Sequence, residues 1–206
     1  MHTRSSRRPL LLGAIALGVA FCTPAPTLAT TPTTPAAGPA PLPAPSVSDH
    51  CLPSHDGYLR LRMRGAANMD IDWHDADMQC DGGPRPGEQG VRLTFAGRKP
   101  HGKHRLRFVF GIAAAANTPS ARNLPTNVTV IFEGERKLYS TAGDNKCTTD
   151  EYHQQSLPDD GHSRRQRISA RGFCTAAAAA IEGRSVLLLS RFDFAGIVTQ
   201  DAGSAP

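Results

Sequence analysis

Apolar and charged residues alternate along two neighbouring stretches of the chain, 57–64 and 68–73, which are separated by Gly65-Ala66-Ala67. A period of two residues is typical of a β-strand with one buried and one solvated face. Folding the segment about Ala66 would create three facing apolar pairs: Leu59 with Trp73, Leu61 with Ile71, and Met63 with Met69. On the opposite face the same register would set arginines alongside aspartates: Arg60, Arg62 and Arg64 against Asp70 and Asp72. The pattern therefore predicts a β-hairpin with Trp73 in the core.

Short strand-like stretches continue along the chain, with turn residues between them. They cover residues 90–96, 105–112, 127–132, 136–140, 146–152, 166–174 and 185–194. This succession predicts an all-β fold, an antiparallel β-sandwich of the jelly-roll-like or Greek-key type. One exception is predicted at 175–182, where an alanine run between Thr175 and Gly183 favours a short helix.

The first 29 residues have the features of a secretory signal peptide. Arg4, Arg7 and Arg8 precede an apolar run at 10–21, and a small-residue cleavage motif ends at Ala29. The paired arginines leave both the general and the twin-arginine export routes open. Cys22 occupies a position suited to lipid attachment, but the bulky Phe21 before it favours cleavage after Ala29. We therefore expect a periplasmic or secreted protein without a transmembrane span, with a lipid anchor at Cys22 as the less favoured alternative.

Composition divides the rest of the chain. Residues 30–49 are rich in Pro, Thr and Ala, which predicts a disordered tail or tether. Residues 50–201 are long enough for a single β-sandwich domain, and 202–206 should be a disordered C-terminus. The leader holds three of the 23 Lys and Arg residues and none of the 18 Asp and Glu residues, so its removal lowers the net charge from +5 to +2. A nearly neutral domain has no general electrostatic basis for binding nucleic acid.

Four cysteines remain once Cys22 is assigned to the leader. An even number in an exported chain predicts two disulfides. The hairpin register brings Cys51 near Cys80, and a second hairpin centred near residue 160 would bring Cys147 near Cys174. Each bridge would close a loop of nearly thirty residues, which contributes about 3–4 kcal/mol in the chain-entropy model. No free thiol would then remain for catalysis.

An acidic segment follows the hairpin and is the candidate metal site. It contains five side chains able to ligate a cation: Asp70, Asp72, His74, Asp75 and Asp77. No motif requires a cofactor, but carboxylates at alternate positions suit calcium, and His74 would suit a transition metal. The glycine and terminal glutamate of an EF-hand loop are missing. The competing interpretation is a solvated acidic edge that pairs with the facing arginines, which would leave His74, Asp75 and Asp77 beyond their reach.

Two loops carry further hypotheses. The basic loop at 98–105 could meet an acidic envelope polymer, although Pro100 and Gly102 are equally typical of a solvated turn. The rigid loop at 82–87 could be the segment that an inhibitor presents to a secreted enzyme.

No motif of a known catalytic class is present, so the catalytic residues are unknown and the sequence favours binding over catalysis. We expect an exported, disulfide-stabilised β-sandwich that acts as a binding or interaction module in the envelope or outside the cell, with an envelope glycan or a protein as partner. The alternatives are a secreted hydrolase of envelope or extracellular polymers and a proteinaceous inhibitor of secreted enzymes.

Overall fold

A computed structural model describes residues 51–201, apart from residues 88, 101, 116 and 159–162. The predicted leader at 1–29, the tail at 30–49, Cys22 and the terminus at 202–206 lie outside the described residues. Export, the site of cleavage and the bounds of the domain therefore stay predictions.

The regular secondary structure of the described residues is almost entirely β-strand, and every strand pairing is antiparallel. The strands, with one 3₁₀ turn, are β1 (Tyr58–Gly65), β2 (Met69–His74), the 3₁₀ turn (Asp75–Asp77), β3 (Met78–Pro84), β4 (Val91–Arg98), β5 (Arg105–Ile112), β6 (Ser120–Ala121), β7 (Leu124–Phe132), β8 (Lys137–Ser140), β9 (Cys147–Ser156), β10 (Ser163–Cys174), β11 (Ala178–Ala180) and β12 (Val186–Asp201). The predicted all-β antiparallel class is confirmed.

The strands hydrogen-bond in the order β3-β4-β5-β7-β8-β11-β12-β10-β9-β6, while β1 joins β12 to β2 and β7 also pairs with β9. This sheet folds over on itself, so that β4 and β5 face β12 across the core. Aromatic rings join the two layers: the centroids of Phe95 and Phe194 are 5.1 Å apart, as are those of Phe110 and Phe192. All four rings are fully buried. The core is thus sandwiched between the first meander of strands and the long β12.

The β1–β2 hairpin has the register that the alternation predicts. Its Cα partners include Leu59 with Trp73, Leu61 with Ile71, and Met63 with Met69. Trp73 is buried, and its ring packs edge-on against Phe108 with centroids 5.6 Å apart. The hairpin and the core position of Trp73 are confirmed.

The predicted helix at 175–182 is wrong. Ala178–Ala180 forms β11, which pairs with β8 on one side and β12 on the other. Ala178 is buried, and Ala179 lies opposite Ser140 and Val186. Alanine favours a helix only weakly, and the hydrogen bonds offered by two neighbouring strands outweigh that preference.

Both predicted disulfides are present. Cys51 is joined to Cys80 and Cys147 to Cys174, with Cα separations of 5.0 and 3.8 Å. Cys147 and Cys174 are direct cross-strand partners in the β9–β10 pair, as the hairpin argument requires. No helix among the described residues is long and apolar enough to cross a membrane.

Candidate functional site

The acidic segment does not converge on one point. Asp70 and Asp72 lie on the solvated face of β2 and pair with the arginines of β1. The Asp70 carboxylate is 2.7 Å from Arg64 Nη1 and 3.5 Å from Arg62 Nε, and Arg60 Nε donates to Asp72 at 3.0 Å. The hydrogen bond from Arg64 is the main cause that lowers the pKa of Asp70. The expected facing of arginines and aspartates is therefore confirmed.

Asp75 points into the protein, away from its neighbours in the sequence. Its side chain is buried, and Oδ1 accepts hydrogen bonds from the backbone N–H groups of Cys51 (2.9 Å) and Leu52 (3.2 Å). The imidazole of His55 lies 3.7 Å from its other oxygen. Asp75 thus anchors the segment that leads into β1, a structural task that also explains its burial.

The remaining two candidates, His74 and Asp77, are exposed at the 3₁₀ turn. The Asp77 carboxylate accepts the backbone N–H of His74 at 3.0 Å, and His74 Nε2 lies 3.7 Å from Asp72. Among the described residues, no three His, Cys, Asp or Glu side chains are grouped so as to hold a metal ion. The calcium hypothesis stays a prediction, which a rise in melting temperature on adding calcium would support.

The structure places the end of the acidic segment beside the basic loop. Together they border a cleft of about 600 Å³, within the size range of ligand sites. One wall is the 3₁₀ turn and the start of β3, and the other is the end of β4 with the loop that follows. The residues that line the cleft are Trp73, Ala76, Asp77, Met78, Gln79, Ala96, Gly97, Arg98, Lys99, Pro100 and Arg105.

The three cations of the cleft differ in how far they are neutralised. Lys99 Nζ is 3.0 Å from Glu135 and lies over the Phe132 ring, and its hydrogen bond lowers the pKa of Glu135. Arg105 donates to Gln79 Oε1 at 2.9 Å and is 3.5 Å from Glu133. The Arg98 guanidinium is exposed and has no hydrogen-bond or ion-pair partner among the described residues. The cleft therefore presents one uncompensated cation.

Gly97 determines the depth of the cleft. A Cβ at this position would lie 2.9 Å from two atoms of the Trp73 ring and 2.9 Å from the carbonyl oxygen of Asp77. The missing side chain lets the strand lie flat against the indole, which forms the floor. Because Trp73 is the only tryptophan of the chain, all tryptophan fluorescence comes from this residue, which borders the cleft.

The loop at 82–87 is fixed to the body of the protein by strand pairing and by the contacts of Arg85. Gly82 and Gly83 belong to β3, and the Arg85 guanidinium makes two hydrogen bonds to the Asp144 carboxylate, at 2.9 and 3.1 Å. The Arg85 side chain is only 9% exposed, and its backbone N–H closes the turn on Gly90 O. A segment pinned in this way is poorly suited to insertion into an enzyme, so the structure does not favour the inhibitor hypothesis.

For the hydrolase hypothesis, a serine, a histidine and a glutamate lie near one another on the outer face of β9 and β10. Ser169 lies opposite His153, and His153 Nε2 is 4.0 Å from Glu151. No hydrogen bond joins Ser169 to His153 in the described part of the chain, and Glu151 is held by Arg171 at 2.5 Å. A nucleophile needs a base within hydrogen-bonding reach, so this trio lacks the arrangement for acyl transfer.

Sequence reasoning treated the basic loop and the acidic segment as separate, and it missed Gln79 and Gly97. A glycine within a strand pattern often marks a place where another part of the protein packs closely against the strand backbone. Gly97, which follows the alternating stretch ending near Phe95, could have been recognised in this way. The adjacency of the two segments could not be read locally, because the pairing of β3 with β4 decides it.

Comparison of the chain with protein-family models, with curated proteins and with solved structures finds no match.

Proposed function

We propose that this protein is an exported binding module that holds an acidic envelope glycan in the cleft between the 3₁₀ turn and the basic loop. The observation that carries the proposal is the exposed Arg98 guanidinium, which has no acidic partner among the residues that the structure describes and lines a cleft floored by Trp73. A guanidinium binds carboxylate or phosphate groups through paired hydrogen bonds.

The surroundings of Arg98 suit a sugar polymer. Gln79 and Asp77 offer an amide and a carboxylate that can hydrogen-bond sugar hydroxyls, and the indole edge provides an apolar surface. Arg105 and Lys99 add positive charge that Glu133 and Glu135 partly neutralise. The cleft thus combines a net attraction for anions with groups that recognise a polyhydroxylated chain.

Export is supported by the leader and by the disulfides. Disulfides persist in oxidising compartments and are rare in the cytosol. The Cys51–Cys80 bridge and the pairing of β3 with β4 hold the cleft wall formed by the start of β3, which lowers the entropic cost of binding.

The test is a titration of the full chain followed by Trp73 fluorescence. The probes are oligogalacturonate, which carries carboxylates, and phosphomannan, which carries phosphates, with neutral dextran as control. We expect at least one acidic probe to change the fluorescence, with an affinity that falls as salt is raised, and we expect dextran to have no effect.

Arg98→Glu should weaken this binding by about tenfold or more, since it replaces attraction by repulsion. Arg92→Glu is the matched control, because Arg92 is exposed on the same strand but does not line the cleft. Equal losses in both variants, or no response to either acidic probe, would overturn the proposal.

A further inference from the structure

The outer face of β2, β1, β12, β10 and β9 carries a row of alternating charges. Successive cross-strand partners are Asp72, Arg60, Asp193, Arg171 and Glu151. Each charge lies opposite one of the other sign, and Tyr58 donates its hydroxyl to Asp193 at 2.8 Å. Opposite charges on neighbouring strands stabilise a sheet modestly, so a structural role is sufficient to account for this row.

Arg191 breaks the alternation. Its cross-strand partner is another arginine, Arg62, and like charges placed directly opposite each other destabilise a sheet. Arg62 is 3.5 Å from Asp70, which Arg64 holds more closely at 2.7 Å. Arg191 itself is exposed and has no hydrogen-bond or ion-pair partner within the described ranges. Arg191 is therefore a cation of this face that no described contact neutralises.

Two bulges flank Arg191. The register of β1 with β12 shifts after Arg62, which leaves Ser190 as the extra residue, and that of β10 with β9 shifts after Arg171, which leaves Asp150 extra. Bulges redirect side chains and are frequent beside binding sites. Along β12, the pairing with β11 covers Val186 and Leu187, and the pairing with β10 covers residues from Phe192 onwards. Residues 188–191 of β12 therefore pair with neither β10 nor β11. The sheet is thus interrupted on the β10–β11 side of Arg191, while on the other side Arg191 still pairs with Arg62 of β1.

A depression of about 340 Å³ lies at this interruption. It is lined by Asp150, Arg171, Gly172, Phe173, Ser190, Arg191 and Phe192. Phe173 is 40% exposed, which is unusual for a large aromatic residue on a charged face.

We propose that this depression binds a sugar ring that carries a carboxylate, of the uronic acid class. The Arg191 guanidinium would hold the carboxylate, the Phe173 ring would cover the apolar face of the sugar, and the Ser190 hydroxyl would bond its hydroxyls. A simple anion would not use Phe173, and a neutral sugar would not use Arg191. The inference does not depend on the Arg98 cleft, since the two sites share no residue.

The test follows amide signals of the full chain by NMR while trigalacturonate is added. Galactotriose is the neutral control, and inorganic phosphate is the control for a bare anion. We expect trigalacturonate to shift the signals of Phe173 and Ser190 saturably. We expect galactotriose and phosphate to shift them only at concentrations about tenfold higher or more.

Two variants separate the site from the fold and from the cleft. Arg191→Gln and Phe173→Ala should each weaken trigalacturonate binding, followed at the Ser190 amide, by about tenfold, whereas Arg184→Gln, at an exposed loop arginine, should leave it unchanged. Arg98→Glu should also leave these shifts intact, even if it abolishes binding in the cleft. Equal binding of galactotriose, or unchanged binding in both Arg191→Gln and Phe173→Ala, would overturn the inference.

Discussion

At the scale of single residues, aspartates within one short segment have two different roles. Asp70 and Asp72 are solvated partners of arginines, whereas Asp75 is buried and binds backbone N–H groups. The alternation of β2 predicts the first role, because it places both side chains on the wet face. Nothing in the local sequence predicts the second, since the N–H groups that Asp75 accepts belong to Cys51 and Leu52, more than twenty residues earlier.

Asp75→Ala should destabilise the protein by about 3 kcal/mol. The change removes a charged acceptor and leaves two backbone N–H groups without their partner. Denaturant unfolding of the oxidised protein measures the loss. Asp75→Asn keeps an acceptor oxygen and should lose less, and Asp72→Ala, on the exposed face, should lose under about 1 kcal/mol. An alanine effect at position 75 as small as that at position 72 would contradict the anchoring role.

Glu135 should make stability depend on acid pH. Hydrogen bonds from Lys99, and then from Lys137, lower the pKa of its carboxyl in the folded protein. A carboxyl with a lowered pKa stabilises the fold above its unfolded pKa, and this contribution is lost as the pH falls through the folded value.

The comparison is between the wild type and Glu135→Gln. The wild type should be more stable near pH 7, by about 0.5–1 kcal/mol. The difference should shrink once the pH falls below about 4.3, the ordinary pKa of a glutamate, and should disappear as the pH passes through the lower pKa of the folded protein. Thermal melts across this range measure it, with Glu182→Gln, an exposed glutamate outside the pair, as control. A difference that stays constant down to pH 3 would show that the carboxylate charge is not responsible.

At the scale of elements, alternation and turn residues determine the strands, and long-range pairing determines their irregularities. The β1–β2 register was readable because both strands are close in the sequence. In β12 the buried residues pass from Leu189 to Phe192, and this break in the alternation marks the bulge at Ser190. Phe173 likewise falls in the outward phase of β10. Both features can be seen in the sequence, but only the pairing with distant strands shows that one is a bulge and that the other lies beside it.

A substitution at Gly82 tests how closely β3 packs against β12. A Cβ at Gly82 would lie 2.3 Å from the carbonyl oxygen of Ile197 in β12, whereas one at Gly83 would meet nothing closer than 3.6 Å. Gly82→Ala should therefore cost about 2–3 kcal/mol, and Gly83→Ala, the matched control in the same strand, under about 0.5 kcal/mol. Denaturant unfolding distinguishes them. Equal costs would mean that β3 does not press against β12 at this point.

At the scale of the whole molecule, the sequence was sufficient for the fold class and for both disulfides. The pairing of Cys147 with Cys174 followed from a local hairpin, and so did that of Cys51 with Cys80. The sites were harder to predict, because they depend on which charges remain unpaired after folding. Asp193 lies opposite Arg60 although the two are 133 residues apart in the sequence. Arg98 and Arg191 can be recognised as unpaired only after the contacts of the other described charges are known.

The central claim is that a rigid sandwich holds an acidic glycan at Arg98. Its most direct test is to map amide and indole signals of the full chain by NMR during addition of oligogalacturonate and, in a second titration, phosphomannan. The account predicts saturable shifts with at least one probe, centred on the Trp73 indole, Gly97 and Arg98, that disappear in Arg98→Glu and persist in Arg92→Glu. An undisturbed Trp73 indole at saturating concentrations of both probes would contradict it.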